Sequence, residues 1–351
     1  MVIRVGIVGC GSISAFRHVP EYAVNPNARL AAYCDPQADR AVKLAALYGG
    51  QVAADYREII EAPEIDAISD CSTNEMHHII TTAALEHGKH VLCEKPMALT
   101  REGANMMLAA NRKSGKVLMV AHNQRLAPAH RKAKAILQSG ELGKVLTFAT
   151  VFGHKGPEYW SADKSKATWF FDRARSGFGV AGDLGIHKID LLRYLLDDEF
   201  VEVSAQEGVL DKTDSAGQPI AVSDNMVALL KTARGALGTL TVSWTYYGPE
   251  SNSTTLYCQA GIMQLYGDPT YQIVIRKLDG EEALYKVGEI QTNDRQTNSG
   301  VIDAFIDAIQ RGTPPPVSGE DGLQGLEVVW AATESATKGV RVQLPHGERG
   351  L

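Results

Sequence analysis

A glycine turn directly after the first apolar segment constrains this chain more than any other feature. Residues 2–8, Val-Ile-Arg-Val-Gly-Ile-Val, read as a strand, and Gly9-Cys10-Gly11-Ser12-Ile13-Ser14 follows it. A helix is predicted over Ile13–Val24. In such a strand–turn–helix the first glycine permits the tight turn. The second lets a pyrophosphate approach the backbone, where the helix N-terminus offers free N–H groups and the positive end of its dipole. The third position is Ser14 instead of Gly or Ala. The motif alone is weak, and its place between strand and helix gives it weight.

The rest of the first 122 residues keeps alternating. Strands are predicted at Arg29–Cys34, Ala67–Cys71, His90–Cys93 and Lys116–Ala121, and helices at Ala38–Tyr48, Met76–His87 and Thr100–Ser114. These strands are short and apolar without alternation, as in a parallel sheet covered on both faces. The expectation is an α/β chain whose residues 1–122 form a doubly wound Rossmann domain.

From 123 to 345 the pattern changes. A helix at Ala129–Gln138 and a strand at Val145–Phe152 lead into a loop rich in lysine and aromatic residues. A glycine-rich stretch then enters a helix at Asp183–Leu196. Alternating segments follow at Val201–Gln206, Asn225–Leu230, Gly235–Trp244, Thr254–Cys258, Gly261–Tyr266 and Tyr271–Lys277. They predict an α+β domain with a large, mostly antiparallel sheet, serving substrate binding and oligomerisation. A closing helix at about 320–338 is expected to pack back on the first domain.

Composition narrows the function classes. The length of 351 residues suits about two domains. A net charge of −6 without a Lys/Arg cluster argues against nucleic acid. No apolar run spans a membrane and the N-terminus lacks secretory features, so a cytoplasmic protein is expected. The five cysteines, Cys10, Cys34, Cys71, Cys93 and Cys258, are odd in number and show no C-x-x-C spacing. They read as small buried residues in a reducing compartment. With no H-x-x-x-H or clustered carboxylates either, no metal is expected.

Asp35 closes the second strand. A carboxylate there accepts the adenosine ribose hydroxyls and repels a 2′-phosphate, and the nearest basic residue is Arg40. NAD is favoured over NADP. Asp35 also suits the N-cap of the next helix, a role that can coexist. The loop Cys71-Ser72-Thr73-Asn74-Glu75-Met76-His77 lies at a strand's carboxyl end, where such sheets bind ligands. Ser72 or Asn74 suits a helix cap, and His77 suits either a cofactor hydrogen bond or a first helical turn. The candidate cofactor residues are Gly9, Gly11, Ser12, Ile13, Asp35, Ser72, Thr73, Asn74, His77, Glu94 and Lys95.

Four motifs occur in order: Cys71-Ser72-Thr73-Asn74-x-x-His77, then Gly88-Lys89-His90-Val91-Leu92-Cys93-Glu94-Lys95-Pro96, then Arg125-x-x-Pro128, then Gly182-Asp183-Leu184-Gly185-Ile186-His187-Lys188-Ile189-Asp190-Leu191-Leu192. In these the chain resembles the Gfo/Idh/MocA oxidoreductases, which include inositol and sugar dehydrogenases. The resemblance covers nearly the whole sequence. It implies that Lys95, Asp183 and His187 form the catalytic trio, that Pro96 follows a cis peptide which aims Lys95, that Arg125 lies near substrate, and that the protein is a homodimer or homotetramer.

The chemistry of the residues agrees. Asp183 and His187, four apart on a helix, share a face, and a carboxylate there fixes the orientation and tautomer of an imidazole. With an ordinary pKa of about 6.5, a histidine suits proton transfer from a hydroxyl near neutral pH. Lys95, at a strand end of the other domain, suits charge developing on the same oxygen. Either Lys95 or His187 can carry the proton. The glycines at 177, 179, 182 and 185 suit close approach of a ligand to the backbone. Candidate substrate contacts are Arg125, His154, Trp160, Trp169, Asp172 and Tyr246, with Trp244 on the same strand, because aromatic faces and polar groups suit a sugar ring. The expected function is an NAD(P)-dependent dehydrogenase transferring a hydride between nicotinamide and a ring secondary hydroxyl or ketone of a cyclitol, sugar or sugar derivative. Alternatives are an NAD-dependent glycosidase with transient oxidation and a non-catalytic dinucleotide-binding regulator. The joint presence of Lys95, Asp183 and His187 counts against the regulator.

Overall fold

The computed structural model describes residues 2–288 and 298–345. The chain divides into two units. One holds the chain up to Asn123, Trp160–Gly177 and the described part of 291–323. The other holds Gln124–Tyr159, the described part of 178–290 and the chain from Gln324. A single boundary near 122 does not capture this exchange of segments. Residues 160–177 fold with the first unit because Arg40 pairs with Asp163 at 2.5 Å and Glu75 with Arg175 at 3.1 Å. The helix Val301–Arg311 joins the same unit, where Asn25 donates to Asp303 at 2.7 Å. The closing helix, Gly319–Lys338, starts in the first unit and continues in the second from Gln324.

Among the described residues the first unit carries six parallel strands: β1 (Ile3–Val8), β2 (Ala28–Cys34), β3 (Gln51–Val52), β4 (Ala67–Asp70), β5 (His90–Cys93) and β6 (Leu118–Val120). Their spatial order is β3-β2-β1-β4-β5-β6, so the winding reverses between β1 and β4. Val5, Ile7, Ile68, Val91 and Leu92 are fully buried, as a sheet covered on both faces requires. The helix expected over 13–24 is not uniform. Ser14–His18 forms a π-type turn, and an α-helix continues over Val19–Val24. Pro20 has no N–H for the carbonyl one turn back, which breaks the regular ladder there.

The second unit carries β7 (Val145–Gly153), β8 (Phe200–Gly208), β9 (Asn225–Thr232), β10 (Leu237–Ser243), β11 (Thr254–Cys258), β12 (Gly261–Leu265), β13 (Ile273–Lys277), β14 (Glu282–Tyr285) and β15 (Val342–Gln343). They form one sheet in the order β14-β13-β12-β11-β7-β10-β9-β8-β15. Among the described residues only the central pair, β7 with β10, runs parallel; the other pairs are antiparallel. Burial alternates along β9: Met226, Ala228 and Leu230 are buried, while Val227 and Leu229 are exposed. Leu237 and Tyr257 are also exposed, and the register places them on the face of Val227 and Leu229.

The glycine turn has a steric reason visible in this frame. Gly9 has φ +87°, and a Cβ there would lie 2.3 Å from the Cys71 carbonyl oxygen. A Cβ on Gly11 would meet nothing within 4 Å. Gly9→Ala is therefore expected to destabilise the protein by about 2–4 kcal/mol, from backbone strain plus overpacking. Gly11→Ala should leave the melting temperature of the ligand-free protein nearly unchanged. Thermal melts of the two variants check this contrast, and equal losses would contradict it.

Candidate active site

In the first unit the loops leaving β1, β4 and β5 lie side by side. Val8 is in register with Asp70, and Asp70 with Cys93. Gly9, Ser72 and Lys95 thus follow neighbouring strand ends at the switch point, where sheets of this winding bind ligands. Asp35, at the end of β2, closes the group. Its carboxylate accepts the Cys10 N–H at 2.7 Å and the Gln37 N–H at 2.8 Å. The N-cap of the next helix is Gln37, so Asp35 is a brace of the glycine turn and not that helix's cap. The open space over Gly11 fits a pyrophosphate at the turn. The Ser12 hydroxyl donates to the Trp160 carbonyl at 3.2 Å, and Ser14 donates to the Gly9 carbonyl. Ile13 leads into the π-type turn.

Beneath this loop group lies a buried ionic cluster that the sequence reading missed. Glu94 meets Arg17 at 3.2 Å and His18 at 2.9 Å. Its other oxygen accepts the Lys95 N–H at 3.1 Å. His18 in turn meets the Ser69 hydroxyl at 2.7 Å. Burial alone would raise the Glu94 carboxyl; the His18 hydrogen bond and the Arg17 charge outweigh it and bring it down to about 2. The available signal was the pair Arg17-His18, two polar residues on the helix that leaves the glycine turn, whose partner is far along the chain.

The peptide between Lys95 and Pro96 is cis. His77 stands on the first turn of the helix Asn74–Glu86, one of its two expected roles. One ring nitrogen meets the Pro96 carbonyl at 2.8 Å and the other the Ser72 carbonyl at 3.1 Å. Both nitrogens are engaged, so the ring is a strut between the β4 and β5 loops. Neither Ser72 nor Asn74 caps its helix. The Ser72 hydroxyl donates to Asp70 at 2.6 Å, Asn74 donates to the Ser176 carbonyl at 3.0 Å, and the N-cap position is Thr73.

In the second unit Asp183 stands on a π-type turn, Ala181–Gly185, and His187 on the α-helix Ile186–Leu196. The wider turn means that their four-residue spacing is not the regular α-helical one expected. Both are 8% exposed. Asp183 accepts the indole N–H of fully buried Trp244 at 3.0 Å. Trp244 is therefore the anchor of Asp183 and lies in no open cleft. The His187 ring lies 6.0 Å from that of Phe152, which in turn lies 5.5 Å from His154. Arg125 forms a two-pronged buried pair with Asp190, at 2.7 and 2.6 Å. Tyr246 packs on Gly153, where a Cβ would lie 2.3 Å from its ring. The nearby glycines serve packing of the chain on itself: Gly179 has φ +53°, and its Cβ would lie 2.4 Å from the Ser223 carbonyl oxygen.

Three expected substrate residues, Trp160, Trp169 and Asp172, belong to the first unit and not to the second. Phe170 stacks on Trp169 at 3.9 Å and meets Trp160 edge-on at 4.9 Å. Asp172 caps a short helix by accepting the Ala174 N–H at 2.9 Å. All five cysteines are buried and unbridged. Among the described residues, no group of three or more His, Cys, Asp or Glu side chains can hold a metal ion, and no helix is long and apolar enough to cross a membrane.

Comparison with known proteins places this geometry. Residues 3–122 match the oxidoreductase family with an NAD-binding Rossmann fold, and residues 130–264 match the GFO/IDH/MocA C-terminal domain. The chain belongs to the GFO/IDH/MocA oxidoreductase family. It is 29% identical to D-glucoside 3-dehydrogenase of Escherichia coli, covering 97% of each chain. It is 26% identical to myo-inositol 2-dehydrogenase of Thermotoga maritima, covering 97% of this chain and 98% of that one. The solved structure of a levoglucosan dehydrogenase with NADH and levoglucosan superposes with a TM-score of 0.87 at 25% identity, covering 99% of this chain and all of the other. The first unit is thus an NAD-binding domain, and the protein is an oxidoreductase of a family of sugar and cyclitol dehydrogenases.

The Glu94 cluster carries its own prediction. A carboxyl lowered to about 2 from 4.5 stabilises the folded chain by about 3 kcal/mol above pH 4.5. That contribution is lost as pH falls from 4.5 through 2. Urea unfolding of wild type and Glu94→Gln should show a gap of this order at pH 7 that narrows steadily below pH 4. A gap independent of pH would mean the carboxylate charge is not what stabilises.

Proposed function

We propose that this protein oxidises a ring secondary hydroxyl of a sugar, cyclitol or sugar derivative, with NAD preferred over NADP, and that Lys95, Asp183 and His187 carry the reaction. The observation that supports it most is the loop group at the ends of β1, β4 and β5, where the glycine turn and Lys95 are braced by one buried carboxylate, Glu94. Gly9, Gly11 and Asp35 would hold the dinucleotide, which when bound supplies the hydride acceptor.

The chain's own groups handle the proton and the charge. In this reading His187 Nε2 accepts the hydroxyl proton as the ring carbon gives up its hydride. The Lys95 ammonium donates a hydrogen bond to the same oxygen and stabilises its developing negative charge. Asp183, whose carboxylate is fixed by the Trp244 indole, is proposed to orient the His187 imidazole. Arg125, His154 and Tyr246 are proposed to line the substrate side. Asp172, Trp160 and Trp169, on the segment that packs against the glycine turn, are proposed to limit water there.

The cofactor preference follows from two carboxylates. Asp35 stands where a 2′-phosphate would come, and Arg40 is engaged by Asp163. A homodimer or homotetramer is proposed, because Val227, Leu229, Leu237 and Tyr257 expose one apolar sheet face that a second copy would cover. Five unbridged cysteines suit a reducing cytoplasm.

His187→Ala is expected to lower kcat by at least about 100-fold, with NADH affinity by fluorescence titration nearly unchanged. Turnover within a few-fold of wild type would make His187 a structural residue. Asp35→Ser should shift the kcat/KM ratio toward NADP by at least about 10-fold. An unchanged ratio would leave Asp35 only as the brace of Cys10.

A further inference from the structure

At the end of the second unit's sheet, two exposed tyrosines stand over a buried ion pair. Tyr159 is 55% exposed and Tyr247 48%. Between them lies the Lys212 ammonium, 5.3 Å from the first ring and 4.7 Å from the second. Lys212 is itself buried, and it pairs with Glu158 at 2.5 Å. The Tyr247 hydroxyl donates to the exposed carboxylate of Asp211. Burying a lysine–carboxylate pair costs desolvation, and here the buried ammonium also lies against both exposed rings.

The tyrosines share a support with the proposed catalytic residues. Asp224 accepts the Trp244 N–H on its backbone carbonyl at 2.8 Å, and Trp244 anchors Asp183. The Asp224 carboxylate accepts the N–H groups of Leu210, Asp211 and Lys212 at 2.8, 2.9 and 2.8 Å. One residue thus fixes both the Asp183 anchor and the floor of the tyrosine pair. Parallel β7 and β10 end together at Gly153 and Ser243, and the loops that leave them carry Tyr159 and Tyr247. Tyr247 comes three positions after Trp244, at most about 10 Å along the chain.

We infer that Tyr159 and Tyr247 form a second sugar subsite, which takes the ring next to the one being oxidised. The substrate class is then a glycoside or disaccharide and not a free monosaccharide. Aromatic faces stack on the C–H face of that ring, and Asp211 offers an acceptor to its hydroxyls. This rests on the sugar-dehydrogenase reading above, and the test separates the two.

Wild type, Tyr159→Ala, Tyr247→Ala and Tyr247→Trp are compared on D-glucose against cellobiose, maltose and trehalose. One readout is NAD reduction. The other, independent of turnover, is saturation-transfer NMR on the NADH-loaded protein. The expected result is a wild-type preference for a disaccharide over glucose that falls about 10-fold in each alanine variant and is retained in Tyr247→Trp. No turnover with any sugar, together with disaccharide contacts that vanish in the alanine variants, would remove the dehydrogenase reading and support the subsite. A wild type that treats glucose and all three disaccharides alike in both readouts overturns the subsite. So does a preference that both alanine variants keep.

Discussion

The first unit's strand ends depend on one buried carboxylate. Glu94 reaches back from the loop after β5 to Arg17 and His18, which stand on the helix leaving the glycine turn. The same side chain accepts the Lys95 N–H. Two loops that are distant in sequence, one shaped for a dinucleotide and one carrying the candidate lysine, are thereby fixed to each other. A charge at that depth is tolerable because several donors satisfy it together; with one partner removed, the rest of the network would be left buried and uncompensated.

A second layer of polar contacts lies over the first. Asp35 holds Cys10, Ser14 ties back to the Gly9 carbonyl, and Ser12 reaches the Trp160 carbonyl. The segment 160–177 closes this layer through Arg40–Asp163 and Asn74–Ser176. Its aromatic residues stack mainly on one another, which gives Trp160 and Trp169 a packing role beside any contact with a ligand.

The fold was legible in the sequence wherever burial leaves a pattern. The apolar runs of β1, β4 and β5 declare a covered parallel sheet, and the alternation along β9 declares a sheet with one open face. The short edge strands β3, β14 and β15 have too few residues to show either signal. The π-type turns at 14–18 and 181–185 escaped because an α-helical period cannot reveal where a ladder widens. The membership of 160–177 escaped for a different reason: it depends on partners such as Arg40 and Asp163 that lie far apart in the chain. In the candidate site, the residue types at 9, 11, 35, 95, 183 and 187 were readable from motif and spacing. What held them was not. Trp244 looked like a cleft aromatic and is an anchor, His77 suited a ligand contact or a first helical turn and is a strut on that turn, and the Arg17–His18–Glu94 cluster shows only its Arg17-His18 half locally, its partner lying far along the chain.

The parallel pairing of β7 and β10 at the centre of an otherwise antiparallel sheet has an evolutionary consequence. Because both strands run the same way, two separate loops leave the sheet at one end. Lengthening a loop costs only slowly growing closure entropy, so either loop can be rebuilt while the strands, the Asp183 anchor and the first unit stay as they are. Selection can then rebuild what the two loops present without disturbing the strands beneath them.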